Sequence, residues 1–296
     1  MRILLTGSTG FIGHTVAAAL TRAGHTVHGG VSPRRKDLTP RQVPMDFAYD
    51  TTAATWLPRL AGIDVVVNTV GVLRDSPGRP IDAIHHHTPA ALFEACAQAG
   101  VQRIVHVSAL GIDSNDTPYA RTKRAADAHL QSLQARGAVR PAILRPSVVF
   151  GKGGDSSALF MNLARLPVAL LPGPMLTARI QPVSVHDLAA AITTLLGPAM
   201  TTEGIIECVG PEALPLSGFV ASLRQQQGYR PAHVLRLPDT ITRLSARLGD
   251  AVPASPWCTE TLAMLGSDNT GDPAPFAQLL GRSPVHYSQL VATAWR

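Results

Sequence analysis

The chain has 296 residues, of which 45% are hydrophobic and 16% charged, with a formal net charge of +6. That balance fits a folded protein with a large core and excludes a disordered or fibrous chain. No apolar run reaches the ~20 residues of a membrane-spanning helix, and the three cysteines, Cys96, Cys208 and Cys258, are too scattered for a disulfide framework or a zinc site. Reduced thiols, and an N-terminus that enters a strand without a signal peptide, predict a cytoplasmic protein. The basic residues form no blocks and only 5% of residues are aromatic, so a nucleic-acid partner is not expected. An anionic small ligand or the inner face of an anionic membrane suits the charge better.

Ile3-Leu4-Leu5 reads as a buried strand, followed by a loop with glycines at 7, 10 and 13 and a helix through Val16, Ala17 and Leu20. Strand, glycine loop and helix in that order make a phosphate-binding turn, because a helix N-terminus offers orphan N–H groups and a partial positive charge. Gly7 permits the turn, Gly10 lets phosphate approach the backbone, and Gly13 lets the helix pack. Ser8, Thr9, Phe11 and Ile12 complete the loop. The second strand, from Thr26, ends near Val31 without the acidic residue that binds a ribose 2′-hydroxyl. Ser32, Arg34 and Arg35 stand there instead. A hydroxyl and guanidinium groups attract a 2′-phosphate, which predicts NADP(H) in preference to NAD(H). A short strand at Gln42–Met45 leads to Asp46, placed to reach an adenine amino group, and to Phe47. Ala53–Leu60 is a predicted helix. The β-branched strand Ile63–Asn68 ends in Thr69, Val70 and Gly71, small enough to lie against a dinucleotide.

Ile81–Gly100 is a predicted helix containing His85-His86-His87. Adjacent helix positions point about 100° apart, so these rings do not converge on one metal ion. After the strand Val101–Val107 comes Ser108, and then Thr117-Pro118-Tyr119-Ala120-Arg121-Thr122-Lys123, with Thr117 as N-cap. Tyr119 and Lys123 share a helix face, and the ammonium is expected to lower the phenol pKa for acid/base work. Strands at Pro141–Pro146, Ile180–Val185 and Glu203–Val209 alternate with helices at Ser157–Leu166, Asp187–Leu196 and Ser217–Gly228. A Pro/Gly-rich stretch, Pro167–Pro174, separates them. In the tail from Pro238, Ile241, Leu244 and Leu248 share a face beside Arg243 and Arg247. Such a face usually packs on its own domain, and otherwise lies on an anionic membrane surface.

These motifs resemble the short-chain dehydrogenase/reductase superfamily in its extended or atypical branch. The marks are Thr6-Gly7 through Gly13, Asp46, Tyr119-x-x-x-Lys123, Leu144-Arg145-Pro146 and Pro182-Val183-x-Val185-x-Asp187-Leu188. Ser108–Gly111, the Tyr119–Lys123 segment and the tail are similar to the complex I Rossmann-fold accessory-subunit group. The resemblance implies an α/β fold: a Rossmann-type doubly wound parallel sheet over residues 1–150, with 183–200 returning to it. A smaller α-rich C-terminal lobe would comprise 151–182 and 203–296. It implies cofactor contacts along the glycine loop and at Lys123 and Pro146, and catalytic positions at Tyr119, Lys123 and Ser108. The family's carbonyl-steadying Ser or Thr usually falls one or two positions later than Ser108, where Ala109 and Leu110 stand. The expected activity is hydride transfer to or from a carbonyl, enone or quinone-like substrate. The alternative is a non-catalytic NADP(H)-binding accessory or assembly factor for respiratory complex I or quinone metabolism. A third reading is a nucleotide-sugar epimerase or dehydratase, with Arg165, Arg179 and Arg224 as loose candidates for nucleotide recognition.

Overall fold

The computed structural model describes residues 1–76, 78–197, 202–252 and 257–295. In chain order, β1 (Arg2–Thr6) feeds α1 (Phe11–Arg22), then β2 (Thr26–Val31), β3 (Gln42–Pro44) and α2 (Ala53–Trp56). Next come β4 (Val65–Asn68), α3 (Thr88–Ala99), β5 (Arg103–Val107), α4 (Pro118–Ala135) and β6 (Arg140–Pro146). The second half runs β7 (Val149–Phe150), α5 (Asp155–Leu163), β8 (Val168–Pro172), α6 (Gly173–Thr177), β9 (Arg179–Ile180), β10 (Val183–Ser184) and α7 (Val185–Leu195). It ends with β11 (Gly204–Cys208), β12 (Leu214–Pro215), α8 (Leu216–Gln226), β13 (His233–Leu237), α9 (Asp239–Asp250), α10 (Thr259–Met264) and α11 (Ala274–Leu280).

The main sheet has seven parallel strands in the order β11-β6-β5-β4-β1-β2-β3. Its central strands are apolar on both faces because helices cover both. Ile3, Leu5, Val65 and Val67 pack with Val16, Leu188 and Ile192 on one side. Leu4 and Val66 pack with Trp56, Leu92 and Phe93 on the other. Such continuous burial is what a parallel sheet requires. From β1 the chain winds outward one way to β3, then returns to place β4 on the other side of β1. Thr6 and Asn68 are register partners at this reversal, and the crevice beyond them is where doubly wound sheets take ligands.

Gly204–Cys208 is the seventh strand of this sheet, and Phe276 and Leu279 of α11 belong to its core. The chain therefore returns to the main unit twice more than expected. The remaining lobe has its own core of Phe150, Phe160, Met175, Phe219 and Leu223. It also holds an unexpected element. Residues 168–172, read as a Pro/Gly-rich break, form β8, which pairs in parallel with β13. β8 alternates in burial but its residues are all apolar, and β13 is exposed along nearly its whole length, so neither carries a period-2 signal in sequence.

Candidate active site

The glycine loop has the shape that its residues predicted. Gly7 sits at φ 73°, a left-handed conformation. A Cβ on Gly13 would meet the Gly7 carbonyl oxygen at 2.0 Å, so α1 approaches β1 only because residue 13 is glycine. Gly10 is the N-cap of α1, with no side-chain cap and no acidic residue in the first turn. The orphan N–H groups of that turn thus face the crevice, and the donor set fits a pyrophosphate. The Ser8 hydroxyl donates to the Gly30 carbonyl at 2.8 Å, tying the loop to β2. Beyond β2, Ser32, Arg34 and Arg35 are exposed. The Asp46 carboxylate accepts from the Ala48 N–H at 3.0 Å, so one of its oxygens braces a turn. Phe47 is largely core, edge-on to Trp56 at 5.6 Å.

At the other end, α4 begins as its residues dictate. Thr117 accepts from the Ala120 N–H at 3.3 Å, with Pro118 in the first turn. This brings Tyr119 and Lys123 to the loop after β4. Lys123 is 4% exposed and donates from Nζ to the Val107 carbonyl at 3.1 Å. A Cβ on Gly71 would lie 3.6 Å from both Lys123 Nζ and His85 Nε2. The Thr69 hydroxyl donates to the Thr6 carbonyl at 2.7 Å, Val70 N–H donates to Asn68 Oδ1 at 3.3 Å, and the Pro146 carbonyl accepts from Leu110 N–H at 3.0 Å.

Two catalytic expectations need correction. The Tyr119 pKa is not lowered. Burial, then the Glu260 and Asp127 carboxylates, push it up to about 12. Burial also draws Lys123 down to about 8, against the pull of Asp127. Ser108, in turn, is 4% exposed and its hydroxyl is already engaged. Its hydroxyl donates to Asp127 Oδ2 at 2.9 Å, in a buried position. Asp127 also accepts from Arg145 Nε at 2.9 Å, and Arg145 reaches Asp113.

Four site residues escaped the sequence reading. Asp127 had a signal, since it continues the Tyr119–Lys123 face by four residues. His85 was weighed only as one of three histidines. It is 1% exposed, accepts the Val72 N–H on Nε2 at 2.9 Å and meets Thr122 Oγ1 at 3.1 Å through Nδ1. The loop after β4 is thereby fastened to α4, and the ring stands edge-on to Tyr119 at 5.2 Å. Burial, Lys123 and His106 hold its pKa near 2. A π-helical turn, Ala83–His87, carries all three histidines. His106 has Nδ1 at 3.1 Å from the Asn68 amide nitrogen. Asn68 Oδ1 already accepts from Thr6 Oγ1 at 2.6 Å, so the amide donates and the His106 proton sits on Nε2, toward Asp127. Glu260 carries no local signal. Its Oε1 accepts the Tyr119 N–H at 2.7 Å across 141 positions of chain.

An apolar pocket of about 380 Å³ is lined by Leu73 and Val148 from the main unit's side and by residues of α5, β8, α9 and α10, among them Thr261, the neighbour of Glu260. Arg74 donates to the Gly249 carbonyl at 2.9 Å and to that of Val252, so loop and lobe are laced together over the crevice. The arginines considered for nucleotide recognition are engaged elsewhere. Arg224 donates to the Ala164 and Leu166 carbonyls at 2.9 and 3.0 Å, and Arg179 to Ala213 at 2.9 Å. Arg165 reaches Gln227 and Asn162.

A glycine cradle at the switch point of a doubly wound sheet, with a Tyr–Lys helix beside it, defines a dinucleotide-binding α/β protein. The profile of the NAD dependent epimerase/dehydratase family matches residues 3–203. The chain belongs to that family, within the extended short-chain dehydrogenase/reductases. A ceramide reductase of Caulobacter vibrioides is 25% identical over 93% of this chain and 88% of its own length. The mitochondrial NADH-ubiquinone oxidoreductase 40 kDa subunit of Neurospora crassa is 24% identical over 80% of this chain and 63% of its own. A Bacillus cereus UDP-glucuronic acid 4-epimerase solved with UDP-glucuronic acid and NAD superposes with a TM-score of 0.72 at 18% identity, covering 99% of this chain and 98% of its own.

Proposed function

We propose that the protein is an NADP(H)-dependent oxidoreductase acting at a carbonyl or the corresponding alcohol carbon of an apolar substrate. The observation that carries this reading is the cluster of Tyr119, Lys123 and Gly71 around His85, with an apolar pocket whose lining includes Leu73, two positions on from Gly71, and Thr261, next to Glu260. The bound dinucleotide would supply or accept the hydride. Gly7, Gly10 and Gly13 would hold its pyrophosphate, Ser32, Arg34 and Arg35 its 2′-phosphate, and Thr69, Val70, Gly71 and Pro146 its nicotinamide end. Tyr119 is neutral at ordinary pH and donates its proton to the nascent alkoxide in the reducing direction. Lys123 holds a positive charge beside that oxygen and fixes the ribose. Asp127 and His106 position α4 from behind. The apolar lining of the pocket favours this reading over a nucleotide sugar.

A second reading is a non-catalytic NADP(H)-binding accessory factor. It is favoured by the Ser108 hydroxyl being engaged by Asp127 in a buried position. Fluorescence titration separates cofactor from catalysis. NADPH should bind about tenfold or more tighter than NADH, and Arg34→Ala with Arg35→Ala should erase the difference. Equal affinity in the parent would overturn the NADP(H) preference. Tyr119→Phe should leave NADPH affinity unchanged and reduce turnover of aldehydes, ketones or quinones about a hundredfold or more. Tight NADPH binding with no turnover of any such compound would select the accessory reading.

A further inference from the structure

The lobe turns apolar side chains outward where a water-facing surface should be polar. In α9, the buried positions are Thr242, Ala246 and Gly249, all small, while Ile241, Leu244 and Leu248 are 50%, 58% and 64% exposed. The helix therefore packs with its small residues and presents its apolar stripe, the reverse of a surface helix that covers a core. The expectation that this stripe packs on its own domain is not met. The neighbouring pair β8–β13 does the same: Leu170 and Leu235 are register partners, 57% and 53% exposed. Charge accompanies the apolar surface. Between Tyr229 and Gly249 the chain carries four arginines against one acidic residue, Asp239. Arg230, Arg243 and Arg247 are all exposed. Finally, Leu170 belongs both to this exposed surface and to the lining of the apolar pocket, together with Leu237 and Ser245. The pocket thus spans from Leu73, two positions on from Gly71, to Leu170 on this face.

We propose that the face made by β8, β13 and α9 docks on an anionic lipid bilayer, and that the pocket opening onto it receives the hydrocarbon chain of a membrane-resident substrate; the second half rests on the oxidoreductase reading above. An apolar stripe flanked by arginines is the arrangement that inserts at the headgroup boundary while the cations meet lipid phosphates. A second copy of the chain is a poorer occupant, because it would set the same arginines against one another. The pocket volume, about 380 Å³, falls in the range of small-ligand sites, and its apolar walls suit a chain better than a headgroup.

The test is sedimentation of the whole purified chain with vesicles of phosphatidylcholine alone or phosphatidylcholine with phosphatidylglycerol. Binding should be about tenfold or more stronger with the anionic lipid and should weaken with salt. Leu244→Asp with Leu248→Asp should abolish it, and Arg243→Gln with Arg247→Gln should erase the anionic preference. NADPH titration of each variant shows that the fold is intact. Failure of the parent to bind either vesicle, or equal binding by the Leu244→Asp, Leu248→Asp variant, would overturn the docking. So would a sedimentation-velocity dimer that this variant dissolves, since the face would then be a self-interface. For the pocket, dodecanal should displace 1-anilinonaphthalene-8-sulfonate from the parent but not from Leu265→Trp, which fills the lining. Equal displacement from both would overturn the chain assignment. Absence of NADPH binding in the parent would overturn the oxidoreductase reading while leaving the vesicle result to stand on its own.

Discussion

At the scale of single residues, the site is governed by the charges behind it. Tyr119 and Lys123 form a legible pair, yet their proton affinities are set first by burial, then by Glu260 and Asp127 at Tyr119 and by Asp127 at Lys123. A phenol held near 12 is a proton donor over the whole physiological range. It must ionise to act as a base, so oxidation of an alcohol should accelerate with rising pH, while reduction should fall off as Lys123 loses its proton above about pH 8. Glu260→Gln removes one of the charges that raise the phenol and retains an acceptor for the Tyr119 N–H. The rising limb of the oxidation profile should then shift down by about one pH unit. An unmoved limb would show that the Glu260 charge is screened at Tyr119.

The elements teach a different lesson. α1 and β1 meet so closely that one methyl group decides their packing. Gly13→Ala would drive a Cβ into the Gly7 carbonyl at 2.0 Å, against backbone that has no room to yield. The expected outcome is a loss of about 2–4 kcal/mol of stability, read by urea unfolding, with loss of NADPH binding. Gly10→Ala is a control with a more tolerant contact, 3.3 Å to the same oxygen. Equal stability of the two variants would contradict this geometry. The strand–loop–helix unit and the Thr117–Pro118 start of α4 were legible because each is specified by residues within a few positions. The β8–β13 pair was not, since its partners lie over sixty residues apart and expose most of their side chains.

For the whole molecule, buried neutral histidines couple folding to pH. His85 is 1% exposed with a pKa near 2, and burial drives His106 well below its ordinary value. Both folded values lie below the unfolded value of 6.5. The unfolded chain therefore binds protons that the folded chain refuses, and stability falls as pH drops from 6.5 toward 2. His85 contributes a slope of up to about 1.4 kcal/mol per pH unit within that window, and His106 acts in the same direction. Urea midpoints should decline steadily below pH 6.5. His85→Asn, which does not titrate, should flatten the decline. An identical slope in the variant would remove His85 as a source. Among the described residues no helix is long and apolar enough to cross a membrane.

By itself, the sequence determined the doubly wound sheet, the glycine cradle and the Tyr119–Lys123 helix. Apolar periodicity, backbone freedom and helix spacing are local properties that survive without knowledge of the partner segments. Tertiary structure alone decided the contacts of His85, Asp127 and Glu260, the direction of the Tyr119 and Lys123 shifts, and the engagement of Ser108 by Asp127. It also decided that residues 204–208 close the sheet and that the Leu244 stripe faces outward. Each of these depends on which distant groups share a low-dielectric interior or leave it. That is a matter of distance in space, on which Coulomb energy and burial act, and it is not written in the spacing along the chain.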